Sequence, residues 1–96
     1  MSAFITHSVK SWPAFFEAAI DGRKTHDFRN KYERNYKIGD FLELNEYNPF
    51  VGDYTGRKAL FRITYITSND TPCALSSNAL DRDTCVLSIR KVDDIG

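Results

Sequence analysis

The sequence predicts an α+β domain that is mainly β: about five strands curled into a small pseudo-barrel, with one early α-helix. Three observations carry this. Five β-prone runs are separated by turn signals, and one stretch alone repeats its apolar residues at helical spacing. The third is length: 96 residues make one domain over residues 1–96, with room for a single core.

The elements follow in order. Residues 4–10 (Phe-Ile-Thr-His-Ser-Val-Lys) read as a first strand. Ser11-Trp12-Pro13 then opens the helix: serine can cap it, and proline is tolerated in the first turn, where its missing N–H is not needed. Trp12, Phe15, Phe16, Ala19 and Ile20 make one apolar stripe and read as core rather than as a stacking surface. Asp21-Gly22 stops the helix, glycine supplying a left-handed cap. Thr25 to Asn30 reads as the second strand, followed by a polar loop, Lys31 to Lys37, and the turn Ile38-Gly39-Asp40.

In the third strand, Phe41 to Tyr47, Leu42 and Leu44 alternate with polar neighbours. Glu46 is in phase with those leucines and points inward, so it needs a partner. Asn48-Pro49 breaks the strand. Tyr54-Thr55-Gly56-Arg57 reads as a turn in which Gly56 provides the positive φ. It leads into a fourth strand, Lys58 to Thr67, with Phe61, Ile63 and Tyr65 on one face. Residues 68–83 show no clear period and read as a loop or as a connection holding one short helix, a long stretch of the kind that serves as a lid. Thr84 to Lys91 is the last strand, and the tail from Val92 is expected to fray.

Composition narrows the function classes. Thirteen basic and thirteen acidic residues cancel to zero formal charge. A non-specific grip on long nucleic acid usually requires a marked basic excess, so any such contact should be local. No apolar run is long enough to cross a bilayer, and the N-terminus lacks a signal-peptide pattern, so a cytoplasmic protein is expected. Cys73 and Cys85 lack metal-ligand spacing. No cofactor or metal is implied, and a disulfide between them is left open.

The densest chemistry lies in Gly22-Arg23-Lys24-Thr25-His26-Asp27-Phe28-Arg29. Side chains two apart on a strand share a face, so Asp27 and Arg29 lie together, and Lys24 swings over the same spot from the turn before. Opposite charges this close fix each other and leave spare donors for a polar or anionic group. The inward Glu46 is expected to pin Lys24 or Arg29. Lys10, Tyr54 and Arg57 complete the candidate binding set: Tyr54 as a stacking ring, Arg57 as a phosphate contact. His7, at opposite parity to Lys10 on the first strand, reads as a structural histidine.

Several motifs recur in one order: His7-x-x-Lys10, Pro13-x-x-Phe16, Gly22-x-Lys24-x-x-Asp27-x-Arg29, Gly39-Asp40, Glu46-Tyr47 and Tyr54-Thr55-Gly56-Arg57. On these the chain resembles the small, functionally unassigned bacterial and phage proteins of the ASCH superfamily, over roughly residues 5–91. The resemblance implies a PUA-like barrel with a cleft between the first helix and the barrel. A Gly-x-Lys-x-x-Glu-x-Arg signature would line that cleft and hold RNA or a nucleotide-like ligand. Lys24 and Arg29 fall on its basic positions, and Asp27 replaces the glutamate with a side chain one methylene shorter. About one extra residue separates Arg29 from Gly39.

One branch of that superfamily looks like small amidohydrolases that use a lysine, a threonine and a distant glutamate. Here Asp27 stands at the threonine position, so that nucleophilic scheme does not carry over. The expected function is therefore an RNA- or nucleotide-binding module. A hydrolase of a modified base or RNA is the alternative, with Asp27 or Glu46 as general base. A protein-interaction module, such as a phage factor bound to a host protein, is the third.

Overall fold

The computed structural model describes residues 4–71 and 81–92. Its elements are β1 (Thr6–Ser11), α1 (Pro13–Ile20), β2 (His26–Asn30), β3 (Phe41–Asn48), β4 (Asp53–Ser68) and β5 (Thr84–Lys91). The five strands form one curled sheet, a half-barrel, in the order β1-β3-β4-β5-β2. β1 runs parallel to β3, and every other pair is antiparallel. The mainly β architecture with a single early helix is the one the sequence predicts. Cys73 and most of the 68–83 connection lie outside the described residues.

The pleat selects the core. Val9 from β1, Leu42 and Leu44 from β3, Phe61 and Ile63 from β4, and Cys85, Leu87 and Ile89 from β5 all point into the concave side. Phe16 and Ala19 of α1 fill the hollow they leave. Each large side chain buried here contributes roughly 1.5–3 kcal/mol of hydrophobic free energy.

Local differences from expectation have physical causes. Ser11 does not cap the helix. It is the last residue of β1, in register with Glu46, and its side chain is buried. Trp12 occupies the N-cap in an extended conformation with no side-chain cap bond, and Pro13 starts the first turn. The helix ends as read, at Asp21, with Gly22 at φ +86°. Tyr54-Thr55-Gly56-Arg57 is not a turn but the start of β4. The reversal lies one step earlier, where the Gly52 N–H donates to the Asn48 carbonyl at 2.8 Å. Tyr65 does not share the face of Phe61 and Ile63, because the ladder slips between Ile63 and Tyr65. That bulge flips the phase of the strand, so Ile66 turns inward and Tyr65 outward. Val92 is held by its N–H, which donates to the Leu60 carbonyl at 2.9 Å.

A buried polar knot anchors the start of β1. His7 Nε2 lies 2.8 Å from Asp40 Oδ2, and both residues are buried. The same carboxylate accepts the backbone N–H groups of Ile5 and Lys37, each at 3.2 Å. His7 is thus the structural histidine expected from its parity. The Tyr36 ring packs on it at 4.8 Å, and the Tyr36 hydroxyl donates to Glu33 at 2.8 Å.

Two outcomes follow. Asp40→Ala strands an imidazole and two backbone donors and should cost about 3 kcal/mol, whereas Asp40→Asn keeps one acceptor and should cost less. Urea unfolding measures both, and equal losses would remove the carboxylate from this role. The second concerns alkali. Burial pushes up the Tyr36 phenol and the Cys85 thiol, so folding favours their neutral forms. That stability is present below the ordinary values of about 10 and 8.5 and is lost as pH rises through the folded values. The melting temperature should therefore fall as alkali is added, and Tyr36→Phe should flatten the upper part of the fall. An unchanged profile in Tyr36→Phe counts against the phenol.

Candidate functional site

β1 and β2 are the two edges of the sheet, and the curl brings them face to face. Arg29 bridges the seam. Its Nε donates to Asp27 Oδ2 at 2.6 Å on its own strand, and its Nη2 donates to the Lys10 carbonyl of β1 at 2.8 Å. Arg34 makes a second crossing, Nη2 to the Ser8 carbonyl at 2.8 Å. Edge-strand carbonyls need partners, and guanidinium supplies several donors in a fixed plane.

Asp27 is buried and is held from both sides. Lys24 Nζ donates to Asp27 Oδ1 at 3.1 Å and to the His26 carbonyl at 2.6 Å. The chain turns Lys24 over the spot because its own N–H caps the helix, donating to the Ala18 carbonyl at 3.0 Å. An ammonium has three donors, and two are used within the protein. The lysine, the carboxylate and the arginine therefore converge as their spacing predicts.

These groups form one wall of a cleft of about 380 Å³ whose opposite wall is Trp12 and Phe15, with Lys10 at its border. Trp12 and Phe15 are 53% and 52% exposed, with rings stacked at a centroid distance of 6.3 Å and only 16° apart in plane. This corrects their assignment to the core. The helix has only eight residues, so one narrow face can be buried, and Phe16, Ala19 and Ile20 take it. Trp12 and Phe15, three apart, define the neighbouring face over the cleft. Their adjacency to Phe16 was the signal: neighbouring positions stand about 100° apart on a helix and cannot both centre one stripe.

The other candidates lie elsewhere. Glu46 points inward as expected and is buried, but neither Lys24 nor Arg29 is its partner. It accepts from the Thr55 hydroxyl at 2.7 Å and lies 3.7 Å from Arg57 Nη1. The cause is a slip in the β3–β4 ladder between the pairs Asn45–Lys58 and Tyr47–Tyr54. Glu46 alone spans Thr55, Gly56 and Arg57 there, with Gly56 at φ +93°. Arg57 also meets Glu17 at 3.0 Å, in a separate, broader groove of about 810 Å³ beside Phe16 and Ile20. Glu43, Lys58 and Lys91 also line that groove, but its arginine is already paired with both Glu17 and Glu46, and no exposed ring pair stands over it. Tyr54 sits edge-on against Tyr47 at 5.1 Å, and Lys10 Nζ lies 4.2 Å over the Tyr47 ring. Lys10 thus belongs to the cleft, while Tyr54 and Arg57 do not line it.

Removing the seam arginine should be costly. Arg29→Ala leaves a buried carboxylate short of a partner and should lower stability by about 2 kcal/mol. Arg29→Lys should recover less than half, because one ammonium cannot fork between Asp27 and the Lys10 carbonyl. Chemical denaturation of the three proteins decides this, and full recovery in the lysine variant would reduce Arg29 to a simple charge.

Among the described residues, no helix is long and apolar enough to cross a membrane. A segment of 61 residues is 43% identical to a protein of Escherichia phage P2 described as an uncharacterized 12.9 kDa protein in the GpA 3′ region. The match covers 64% of this chain and 53% of the phage protein, so the chain spans about half of that relative's length. Residues 6–89 match the family described as Domain of unknown function (DUF3850). That range runs from β1 through most of β5 and takes in the seam, the cleft and the His7–Asp40 knot, so the chain belongs to the DUF3850 family.

Proposed function

We propose that the cleft binds a nucleotide-like ligand or a short segment of RNA, as in the ASCH, PUA-like proteins whose motif order the chain resembles. The observation that carries this reading is the exposed Trp12–Phe15 pair facing the Lys24–Asp27–Arg29 cluster. Solvent-exposed aromatic rings are costly to keep uncovered, and a base is a flat partner with the right chemistry on both sides. The remaining Lys24 donor suits a phosphate or carbonyl oxygen. Asp27 can accept from an exocyclic amine while still holding both cations. Arg29 serves chiefly as the strut that keeps the wall in place.

The hydrolase reading is weaker. Both Asp27 oxygens are engaged by cations, and Glu46 is engaged with Thr55 and Arg57 in another place. A protein-interaction role has one observation in its favour: the β3–β4 hairpin tip presents Phe50 almost fully, and Val51 largely, to solvent.

Titration with nucleosides, nucleoside monophosphates and short RNAs tests the proposal. Trp12→Ala should weaken binding about tenfold, the scale of one lost stacking contact, and Lys24→Ala should weaken phosphate-bearing ligands more than nucleosides. Equal binding by the wild type and both variants would refute the cleft as the site.

A further inference from the structure

The outward face of β2, β5 and the second half of β4 has an unusual composition. Strand registers place Tyr65, Ser88 and His26 in one row across the three strands. Thr67, Val86 and Phe28 form the next row. Phe28 is 61% exposed and Tyr65 52%, and the His26 and Phe28 rings meet edge-on at 5.9 Å. Although the chain carries thirteen acidic residues, none takes an outward position on β2, on β5 or on β4 from Arg62 to Thr67.

The charges on this face are both positive. Arg62 and Arg90 are direct cross-strand partners. Like charges placed opposite each other on a sheet repel unless something screens them. Arg62 is partly accommodated: its Nε donates to the Gly39 carbonyl at 3.2 Å, and its guanidinium lies over Phe41 at 4.8 Å. Arg90 is exposed and forms no ion pair among the described residues. Among the described residues, the acids around this face include Glu43, outward on the neighbouring strand β3, and Asp70 past the end of β4, which pairs with Lys31.

This face is continuous with the cleft. β2 is an edge strand, so Asp27 and Arg29 on its inner side and His26 and Phe28 on its outer side meet over one rim, and all four line the cleft. A chain leaving the cleft crosses that rim onto the outer rings. Rings without carboxylates, flanked by arginines, complement unpaired bases joined by phosphates.

We infer that the ligand is single-stranded nucleic acid rather than a free nucleotide: one base lies in the cleft, and the adjoining nucleotides cross β2 to stack on Phe28, His26 and Tyr65, with Arg90 at a phosphate. The inference rests on the cleft reading for its first nucleotide and on the sheet face for the rest. The rings supply sequence-tolerant stacking, and the arginines supply a local basic field that the neutral net charge of the chain conceals.

Fluorescence anisotropy with a short mixed-sequence RNA, its DNA counterpart and the four nucleoside monophosphates as competitors tests it. The RNA should bind at least tenfold more tightly than any monophosphate. Phe28→Ala/Tyr65→Ala should weaken the RNA about tenfold, and Tyr65→Ala alone, at a residue that does not line the cleft, should weaken the RNA while leaving monophosphates unchanged. Arg90→Glu, which keeps both rings, should lower the salt dependence by about one phosphate contact. Equal binding of DNA also supports the inference, because stacking does not read the sugar. Oligomer affinity no greater than monophosphate affinity, or untouched by the ring variants, overturns the track while leaving the cleft intact. Oligomer binding that needs the rings but ignores Trp12→Ala and Lys24→Ala keeps the face and sinks the cleft. Self-association that the ring variants abolish, without nucleic-acid binding, makes the face a contact between copies and overturns the inference.

Discussion

The structure turns on the guanidinium of Arg29, with Arg34 making a second crossing of the same seam. A five-stranded sheet with free edges at β1 and β2 has no ladder to close it, and α1 covers only part of the opening. Arg29 joins the edges by donating to a carboxylate on one and a carbonyl on the other. Because Asp27 is buried, the bond to it acts in a low-dielectric setting, where pairing matters more than at the surface. The same contact that holds the half-barrel shut also fixes the wall of the cleft. Stability and the shape of the cleft therefore share one residue, and a substitution there cannot affect one alone.

The two ladder slips are the second organising feature. The slip at Ile63–Tyr65 moves an aromatic ring from core to solvent and brings Ile66 inward in its place. The slip at Asn45–Tyr47 lets one glutamate face three residues, so Glu46 meets Thr55 and Arg57 instead of the cations across the barrel. Each adds a bend that helps the sheet curl. Each also decides which chemistry reaches which face.

The chain thus separates its polar groups by role. Asp40 and His7 are buried to fasten the entry of β1. Asp27, Lys24 and Arg29 sit at the rim, bonded to one another with donors to spare. The outward β2–β5–β4 face holds rings and arginines without acids. A neutral total charge conceals this partition, which is why composition argued only against a broad nucleic-acid grip and left a local one open.

Much of this was legible in the residues. Alternation in Leu42-Glu43-Leu44 and the Gly-x-Lys-x-x-acid-x-Arg spacing placed strands, helix and triad, because pleat and helical pitch are local properties of the backbone. Parity also identified His7 as structural and Glu46 as inward. The partner of Glu46, the outward turn of Tyr65 and the exposure of Trp12 and Phe15 were not legible. A bulge shifts phase by one residue without a sequence mark strong enough to announce it, and a short helix divides its aromatic residues according to what stands opposite. Nor does any local rule say that the ends of β1 and β2 meet. Only the closure of the sheet decides that, since it brings a carbonyl at residue 10 within reach of a guanidinium at residue 29.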